Sequence, residues 1–178
     1  MDGSMCFEIE ASRVSPVTVQ PTPEHIAAYY GLMDGGALLR QLVEQQLRRD
    51  AGLSYVQFRV LALLAGASGE NLSMTALADG VVHSRSGLTY QADRLEGDGL
   101  IMRIPSATDE RSVVVSLTHA GRTILEKVLP GHIDLVADKL FAPMNKLDVT
   151  AMANVLTKVC DNLSVATRRT PVRHRSGL

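Results

Sequence analysis

The chain has 178 residues, of which 46% are hydrophobic, and it carries 18 Lys and Arg against 19 Asp and Glu, for a net charge of −1. This length suits one globular domain with a sizeable core and is short for two ordinary domains joined by a linker. No apolar run is long enough to cross a bilayer, and the first residues lack the basic and apolar regions of a secretion signal, so we expect a cytoplasmic protein without membrane contact.

The N-terminal part predicts an arm followed by a long helix. Residues 1–22 contain two prolines, several Ser and Thr and no hydrophobic period, which indicates an extended N-terminal arm. Pro23 and Glu24 then open a helix to about Asp50, because proline suits the first turn and an acid suits its positive dipole end. Three glycines inside it favour a bend over the close approach of another helix or a ligand: Gly31, Gly35 and Gly36.

The next helix has a clear start. Ser54 to Gln57 is a capping-box pattern, so we expect a helix from Tyr55 until Gly66. Its apolar spacing predicts a buried face of Phe58, Leu61, Ala62 and Leu64.

Two short helices are predicted after it. Ser73 is placed to cap a helix that ends near Gly80, with Leu72 and Leu77 spaced as a hydrophobic staple. After a tight connection, Ser84 is placed to cap a second helix that runs to about Asp98, and Gly99 suits the left-handed position that closes such a helix.

The second of these helices has one apolar and one polar face. The apolar spacing of Leu88, Ala92 and Leu95 predicts a buried stripe. The opposite face carries hydrogen-bonding side chains, namely Arg85, Ser86, Thr89, Tyr90 and Asp93. Side chains of this kind at the start of a helix are typical of a recognition helix that reads base edges in the major groove.

A two-stranded hairpin is predicted next. Residues 100–104 and 112–117 are rich in strand-forming residues, and residues 105–111 between them have loop chemistry. Arg111 at the polar tip suits the negative potential of a narrow minor groove. Asp109 is placed to orient Arg111 through a charge-assisted hydrogen bond.

Three separated motifs carry a family resemblance. They are D-R-L-E-G-D-G-L-I-M-R at 93–103, D-E-R at 109–111 and V-S-L-T-H-A-G at 115–121. In this order and at this spacing they resemble the MarR family of winged helix-turn-helix regulators, over about residues 24–163. The resemblance implies a mainly α fold with a small β-wing, in which a winged helix-turn-helix DNA-binding domain joins a helical dimerisation region. It also implies a homodimeric repressor or activator controlled by a small ligand or by cysteine oxidation.

Two further helices are predicted after the wing. Thr118 is placed to cap the first, which Pro130 and Gly131 should kink without ending it. Asp148 is placed to cap the second, which carries an apolar seam of Val149, Met152, Leu156, Val159 and Leu163. In a family dimer this seam and the first helix would form the interface, with two-fold symmetry that matches a pseudo-palindromic operator.

The expected organisation follows from these elements. Residues 1–22 form the arm, residues 23–166 form one MarR-like unit, and residues 167–178 form a basic, disordered tail. Within the unit, residues 23–52 and 119–166 are the helical dimerisation part and residues 53–118 are the DNA-binding winged helix.

The residues expected to contact DNA lie on the second helix of the motif and on the wing: Ser84, Arg85, Ser86, Thr89, Tyr90, Arg94, Asp109 and Arg111. Tyr90 departs from the family pattern, where many members have Arg, so it either stacks on a thymine methyl or sugar or packs locally. The net charge of −1 is unusual for a DNA-binding protein. Arginines such as Arg94 and Arg103 would have to face the duplex while Glu96 and Asp98 face away or pair with them, which predicts modest, salt-sensitive affinity.

The sequence also offers candidate residues for an effector site. A pocket would lie between the first helix, the helix from Tyr55 and the kinked helix, lined by Tyr29, Tyr30, Met33, Arg40 and Phe58. These side chains suit an aromatic or phenolic acid, although they are also ordinary core and interface residues. A peroxide-sensing role for Cys6 is the alternative, although acids and no evident base stand near it in the sequence to activate the thiol. Cys160 is expected to pack on the seam.

We therefore expect double-stranded DNA, a second copy of the chain and a small-molecule effector as partners. We expect no cofactor, no metal and no enzymatic activity, because the sequence has no glycine-rich phosphate loop, no cluster with metal-ligand spacing and no paired nucleophile and base. The alternatives are a cysteine-based redox regulator and a winged helix that contacts protein and does not bind DNA.

Overall fold

The computed structural model describes residues 20–81, 85–105 and 113–168. The described helices are α1 (Pro23–Ala51), α2 (Tyr55–Gly66), α3 (Met74–Val81), α4 (Arg85–Gly97), α5 (His119–Val136) and α6 (Lys146–Arg168). The strands are β1 (Asn71–Ser73), β2 (Ile101–Pro105) and β3 (Val113–Leu117). The predicted fold class, mainly α with a small β-wing, is confirmed. No described helix is long and apolar enough to cross a membrane.

The chain divides into two compact units, residues 1–36 and 37–178, and the boundary falls inside α1. In the first unit, Thr22 precedes α1 and its hydroxyl donates to the Glu24 carboxylate at 2.6 Å. This hydrogen bond lowers the pKa of Glu24. The predicted start of α1 at Pro23 is confirmed.

The second unit holds a core that α2 organises. The predicted capping box is present, since Gln57 N donates to Ser54 Oγ at 3.2 Å and Ser54 N donates to Gln57 Oε1 at 2.8 Å. A second acceptor serves the same helix end, because Glu44 of α1 accepts from Tyr55 N at 2.6 Å. The core side chains are Val43, Leu47, Leu53, Phe58, Val60, Leu61, Leu64, Leu77, Ala78, Leu88, Ala92, Leu95, Leu100, Ile101, Val115, Leu117, Leu125 and Val128.

The two helices of the motif have the predicted ends where these are described. Ser73 Oγ accepts from Ala76 N at 3.1 Å and so caps α3. At the end of α4, Gly99 has a φ of +70°. Leu100 N donates to Leu95 O at 2.8 Å and Gly99 N donates to Glu96 O at 2.9 Å, which is the paired pattern of a Schellman motif.

The sheet has three strands, in the order β1-β3-β2, and all neighbours are antiparallel. The prediction of a two-stranded wing was therefore incomplete. Leu72, expected only as part of a hydrophobic staple, lies in β1 opposite Val115 of β3. Three residues beside a helix cap are too few to show the alternating pattern of a strand, so β1 is recognised only by its pairing with β3.

A tight junction joins the wing to α5. Thr118 Oγ1 accepts from Gly121 N at 3.0 Å, which confirms the predicted cap, and donates to Gly99 O at 2.7 Å. Gly121 lies so close to Leu100 that a Cβ there would meet the Leu100 carbonyl oxygen at 2.1 Å. The glycine of the V-S-L-T-H-A-G motif is therefore required by this close approach.

The α5 helix continues through Pro130, as predicted, and passes into a π-helical segment, Ala137–Phe141. Gly131 leaves room for α1, since a Cβ there would lie 3.3 Å from Asp50 Oδ2. Beside it, the buried Gln46 amide donates to Asp50 Oδ2 at 2.8 Å and to Val128 O at 3.4 Å. The bond from Gln46 lowers the pKa of Asp50.

The start of α6 differs from the prediction. The helix begins at Lys146, and Asn145 Oδ1 accepts from Leu147 N at 2.7 Å and Asp148 N at 3.1 Å. Asp148 accepts in return from Asn145 N at 3.0 Å. Asp148 was therefore wrongly predicted as the cap: it is the third residue of the helix in a reciprocal capping arrangement.

The predicted seam on α6 is only partly shielded within one chain. None of the described side chains from Lys146 to Val165 is buried. The four half-buried positions are those at the predicted three- and four-residue steps, Val149, Met152, Leu156 and Val159, while Leu163 is 54% exposed. Cys160 is exposed in the single chain, and its predicted packing on the seam stays a prediction. It follows Leu156 by four residues and thus lies about 40° around the helix from that seam residue.

Candidate nucleic-acid interface

The exposed face of α4 is the centre of the candidate site. Its buried stripe is as predicted, since Leu88 is 1% exposed and Ala92 and Leu95 are 0% exposed. This packing turns the other face outward, and Thr89, Tyr90 and Arg94 are all exposed there. The other predicted contact residues, Ser84, Asp109 and Arg111 with the side chains of Arg85 and Ser86, lie outside the described residues.

Tyr90 and Arg94 form a neighbouring pair one helical turn apart. Hydrogen bonding with the Tyr90 side chain raises the pKa of Arg94, and the charges of Tyr90 and Asp98 raise it further. Tyr90 keeps 57% of its surface exposed. The two side chains thus present an aromatic ring and a cation together on the solvent side of α4.

Arg103 on β2 has a different environment from Arg94. Its Nη1 donates to Asp93 Oδ1 at 2.6 Å and to Glu96 Oε2 at 3.3 Å, and its Nη2 donates to Thr89 O at 3.4 Å. Its backbone N–H also donates to Glu96 Oε1 at 3.0 Å. We call this set of contacts the Arg103 clamp. The sequence left open whether Glu96 faces away from the duplex or pairs with an arginine, and in the structure Glu96 pairs with Arg103.

The Arg103 clamp was not predicted from the sequence. Asp93 and Glu96 are three residues apart, so they share one face of α4. The packing of β2 beside this face is a tertiary contact that the sequence pattern does not show. Arg103 could therefore not be identified from the sequence as the partner of both acids.

A second contact holds the other helix of the motif. Arg59 of α2 donates from Nη2 to Gly80 O at 2.9 Å, at the C-terminal end of α3. A cation here satisfies a helix-end carbonyl and suits the negative end of the dipole. Gly80 also packs closely on α2, because a Cβ would lie 2.9 Å from Leu63 Cδ1. These contacts fix the point at which the chain leaves α3 toward α4.

A cavity of about 320 Å³ lies between the helix pair and the wing. Its described lining residues are Met74, Thr75, Leu88, Thr89, Arg103 and Val113. The wing therefore packs tightly at its base, where Ile101 and Leu117 are buried, and less tightly farther out.

The residues predicted for an effector pocket have different environments in the two units. In the first unit, Tyr29, Tyr30 and Met33 are each more than half exposed, and the two tyrosine rings meet edge-on with centroids 5.1 Å apart. In the second unit, Arg40 lies over the Tyr55 ring at 5.2 Å, and the buried Phe58 packs against the His132 ring at 4.7 Å.

His132 introduces a polar atom into this apolar contact. Its Nδ1 is buried and has no hydrogen-bond partner among the described residues. Burial lowers the pKa of His132, because the charged imidazolium loses hydration there.

Comparison with known proteins gives the family. A model of the MarR family matches residues 51–112. The repressor YetL of Bacillus subtilis is 35% identical over 86 residues, which cover 48% of this chain and 52% of YetL, about half of that relative. The B. subtilis HTH-type transcriptional regulator YfiV is 32% identical over 112 residues, which cover 62% of this chain and 69% of YfiV.

A solved structure agrees with these sequence matches. Sco3205, a MarR family transcriptional regulator from Streptomyces coelicolor solved in complex with DNA, is 28% identical with a TM-score of 0.79. The match covers 84% of this chain and 93% of Sco3205. These relatives are transcriptional regulators and not enzymes. The chain belongs to the MarR family of winged helix-turn-helix transcriptional regulators.

Proposed function

We propose that this protein is a sequence-specific DNA-binding repressor that acts as a homodimer on a pseudo-palindromic operator and is released by a small aromatic or phenolic acid. The observation that carries the proposal is the outward face of α4, held by its buried stripe on a winged-helix core. DNA binding is supported by the likeness to Sco3205, whose structure contains DNA, and repression by the likeness to YetL.

The proposed contacts divide between the two grooves of the duplex. Side chains at the start of α4, with Ser84, Arg85, Ser86 and Thr89, would read base edges or hold phosphates in the major groove. Tyr90 and Arg94, one turn further along, would contact the sugar-phosphate backbone as a pair. Arg111, oriented by Asp109, would enter the minor groove from the wing.

A homodimer is supported by the apolar surface that one chain leaves uncovered. In the first unit Ile26 is 48% and Met33 is 55% exposed, and in the second unit Ile133 is 55% and Val155 is 56% exposed. The half-buried seam on α6 also belongs to the second unit. Apolar surface of this extent is typical of a protein interface. Two-fold symmetry then places two copies of α4 on one face of the duplex.

The effector proposal rests on the chemistry of a few side chains. Tyr29, Tyr30 and Met33 offer apolar surface with phenolic hydroxyls, Phe58 offers an aromatic ring, and Arg40 offers a cation that would pair with a carboxylate. A ligand that binds the DNA-incompetent state more tightly would shift the protein toward release.

Fluorescence anisotropy tests the DNA contact. The purified protein is titrated against the duplex from its own upstream promoter, at low and moderate salt, beside the variant Arg111→Ala. We expect salt-dependent binding by the wild type and a loss of about 1–3 kcal/mol in the variant. Arg49→Ala is the matched control, because that side chain is 71% exposed and lies on α1, outside the winged helix.

The outcomes separate the proposed function from its alternative. Binding that Arg111→Ala weakens and Arg49→Ala leaves unchanged would support a DNA contact by the wing. If the wild type ignored every promoter fragment at low salt, the DNA-binding proposal would fail and a protein-contacting winged helix would replace it.

A further inference from the structure

We propose that Arg103 is a positioning residue for DNA binding, which fixes the wing strand to the recognition helix and neutralises two carboxylates that would otherwise repel the duplex. The inference rests on the proposed function and adds a residue to it that need not touch DNA.

Two acidic side chains on α4 would oppose DNA binding if no cation were paired with them. Asp93 and Glu96 lie on the partly exposed side of the helix, with side chains 57% and 39% exposed, next to the outward-facing Arg94. Two uncompensated carboxylates beside a polyanion would lower affinity, because phosphate neutralisation supplies much of the binding free energy. A cation held between them removes this penalty.

Arg103 supplies the cation that these two carboxylates need. Its side chain is only 23% exposed, and its guanidinium reaches both carboxylates and the Thr89 carbonyl at 2.6–3.4 Å. Glu96 is held twice, since it also accepts the Arg103 backbone N–H at 3.0 Å. A planar guanidinium with five donors suits such a set of acceptors, whereas a lysine ammonium would not span it.

The clamp acts where apolar packing becomes weak. At the base of the wing, Ile101 is 2% and Leu117 is 8% exposed, so the core fixes this end. Farther out, Ile104 is 43% and Val113 is 42% exposed, and the cavity separates the strands from the helix pair. Arg103 lies between these two regions, opposite Val115 of β3. It therefore ties β2 to α4 just beyond the buried base of the wing.

A charge-rescue experiment tests the inference on the full-length protein. Anisotropy titrations with the promoter duplex compare the wild type, Arg103→Gln, the double variant Asp93→Asn with Glu96→Gln, and the triple variant. We expect Arg103→Gln to weaken binding by roughly fivefold to tenfold at low salt and by less at moderate salt, because freed charges repel phosphates through screened Coulomb interactions. The triple variant should bind within about twofold of the double variant, since no carboxylate remains to be freed.

Two controls isolate the effect. Arg49→Gln breaks another ion pair, with Asp50 at 2.9 Å, and should leave DNA affinity unchanged. Arg103→Lys keeps the charge and loses the planar contacts, so its affinity should lie between those of the wild type and Arg103→Gln. Thermal unfolding of each variant verifies that the proteins remain folded.

Each outcome decides the inference. Equal loss on Arg103→Gln in both backgrounds would overturn it, because the arginine would then act independently of the two carboxylates, as it would by contacting phosphate itself. Wild-type affinity in Arg103→Gln would also overturn it. Failure of the wild type to bind any duplex would refute the proposed function instead. Amide hydrogen exchange would then decide whether the clamp holds β2, with faster exchange in Arg103→Gln if it does and no change if it does not.

Discussion

The helices α4 and α6 carry similar apolar patterns but differ in what covers them. On α4 the stripe of Leu88, Ala92 and Leu95 is at most 1% exposed, because α2, α3 and the wing pack on it. On α6 the seam residues, such as Met152 and Leu156, are only half-buried in the single chain. A helical spacing of apolar residues therefore predicts which face of a helix is shielded from solvent. It does not predict whether the same chain or a partner chain packs on that face.

Within the second unit, the winged helix and α6 therefore differ in the contacts that stabilise them. The winged helix packs in a core that it shares with α1 residues such as Val43 and α5 residues such as Leu125, and the tight junction at Gly121 lies within the same chain. The outer surface of α6 contributes no described side chain to that core. Changes in the winged helix should thus lower folding stability, and changes on the seam should lower association.

The largest effect is expected at the junction between the wing and α5. Gly121→Ala places a Cβ 2.1 Å from the Leu100 carbonyl oxygen and 2.8 Å from Leu117 Cδ1, so the backbone must shift. We expect the free energy of unfolding to fall by about 3 kcal/mol, measured by urea denaturation. Gly97→Ala is the control: its Cβ meets nothing within 4 Å and should raise stability by about 0.5–1 kcal/mol. Equal effects of the two changes would contradict this account of the junction.

The next effect is expected on the seam. Leu156→Asp places a charge at the half-buried centre of α6, and two-fold symmetry would place two such charges in one interface. We expect the dimer dissociation constant to rise by about 100-fold, measured by sedimentation, without loss of helical circular dichroism. Asn154→Asp adds the same charge at an exposed position and should leave association unchanged. A Leu156→Asp protein that remains fully dimeric would remove α6 from the interface.

The smallest effect is expected from His132 and concerns pH. Burial places its folded-state pKa below the ordinary value of 6.5, so the unfolded chain binds the proton first as pH falls. The stabilisation by neutral His132 is complete above pH 6.5 and is lost progressively on acidification toward the folded-state pKa. Wild-type stability should therefore decrease more between about pH 7.5 and 5.5 than that of His132→Gln. Parallel pH profiles of the two proteins would contradict this assignment.

The sequence predicts features whose causes lie within a few residues. The capping box of Ser54 and Gln57, the cap at Thr118 and the left-handed Gly99 each depend on positions at most five residues apart. Side-chain chemistry and backbone freedom determine such features locally.

The features that the sequence did not predict depend on distant partners or on competing neighbours. Strand β1 exists because Asn71–Ser73 pairs with β3, more than 40 residues away. The cap of α6 was ambiguous because Asn145 and Asp148 both suit that position, and the structure uses them reciprocally. In the candidate site, the face of α4 followed from periodicity, whereas the Arg103 clamp requires knowing that β2 lies beside it.

Hydroxyl-radical footprinting of the protein on its bound duplex tests whether a dimer contacts DNA through two copies of α4. Two copies of α4 related by a two-fold axis should protect two segments on one face of the duplex, centred about 34–36 Å apart. Leu156→Asp should weaken both protections together at the same protein concentration. A single protected segment, or two segments that persist in a monomeric variant, would contradict the account of a dimer that reads DNA through α4.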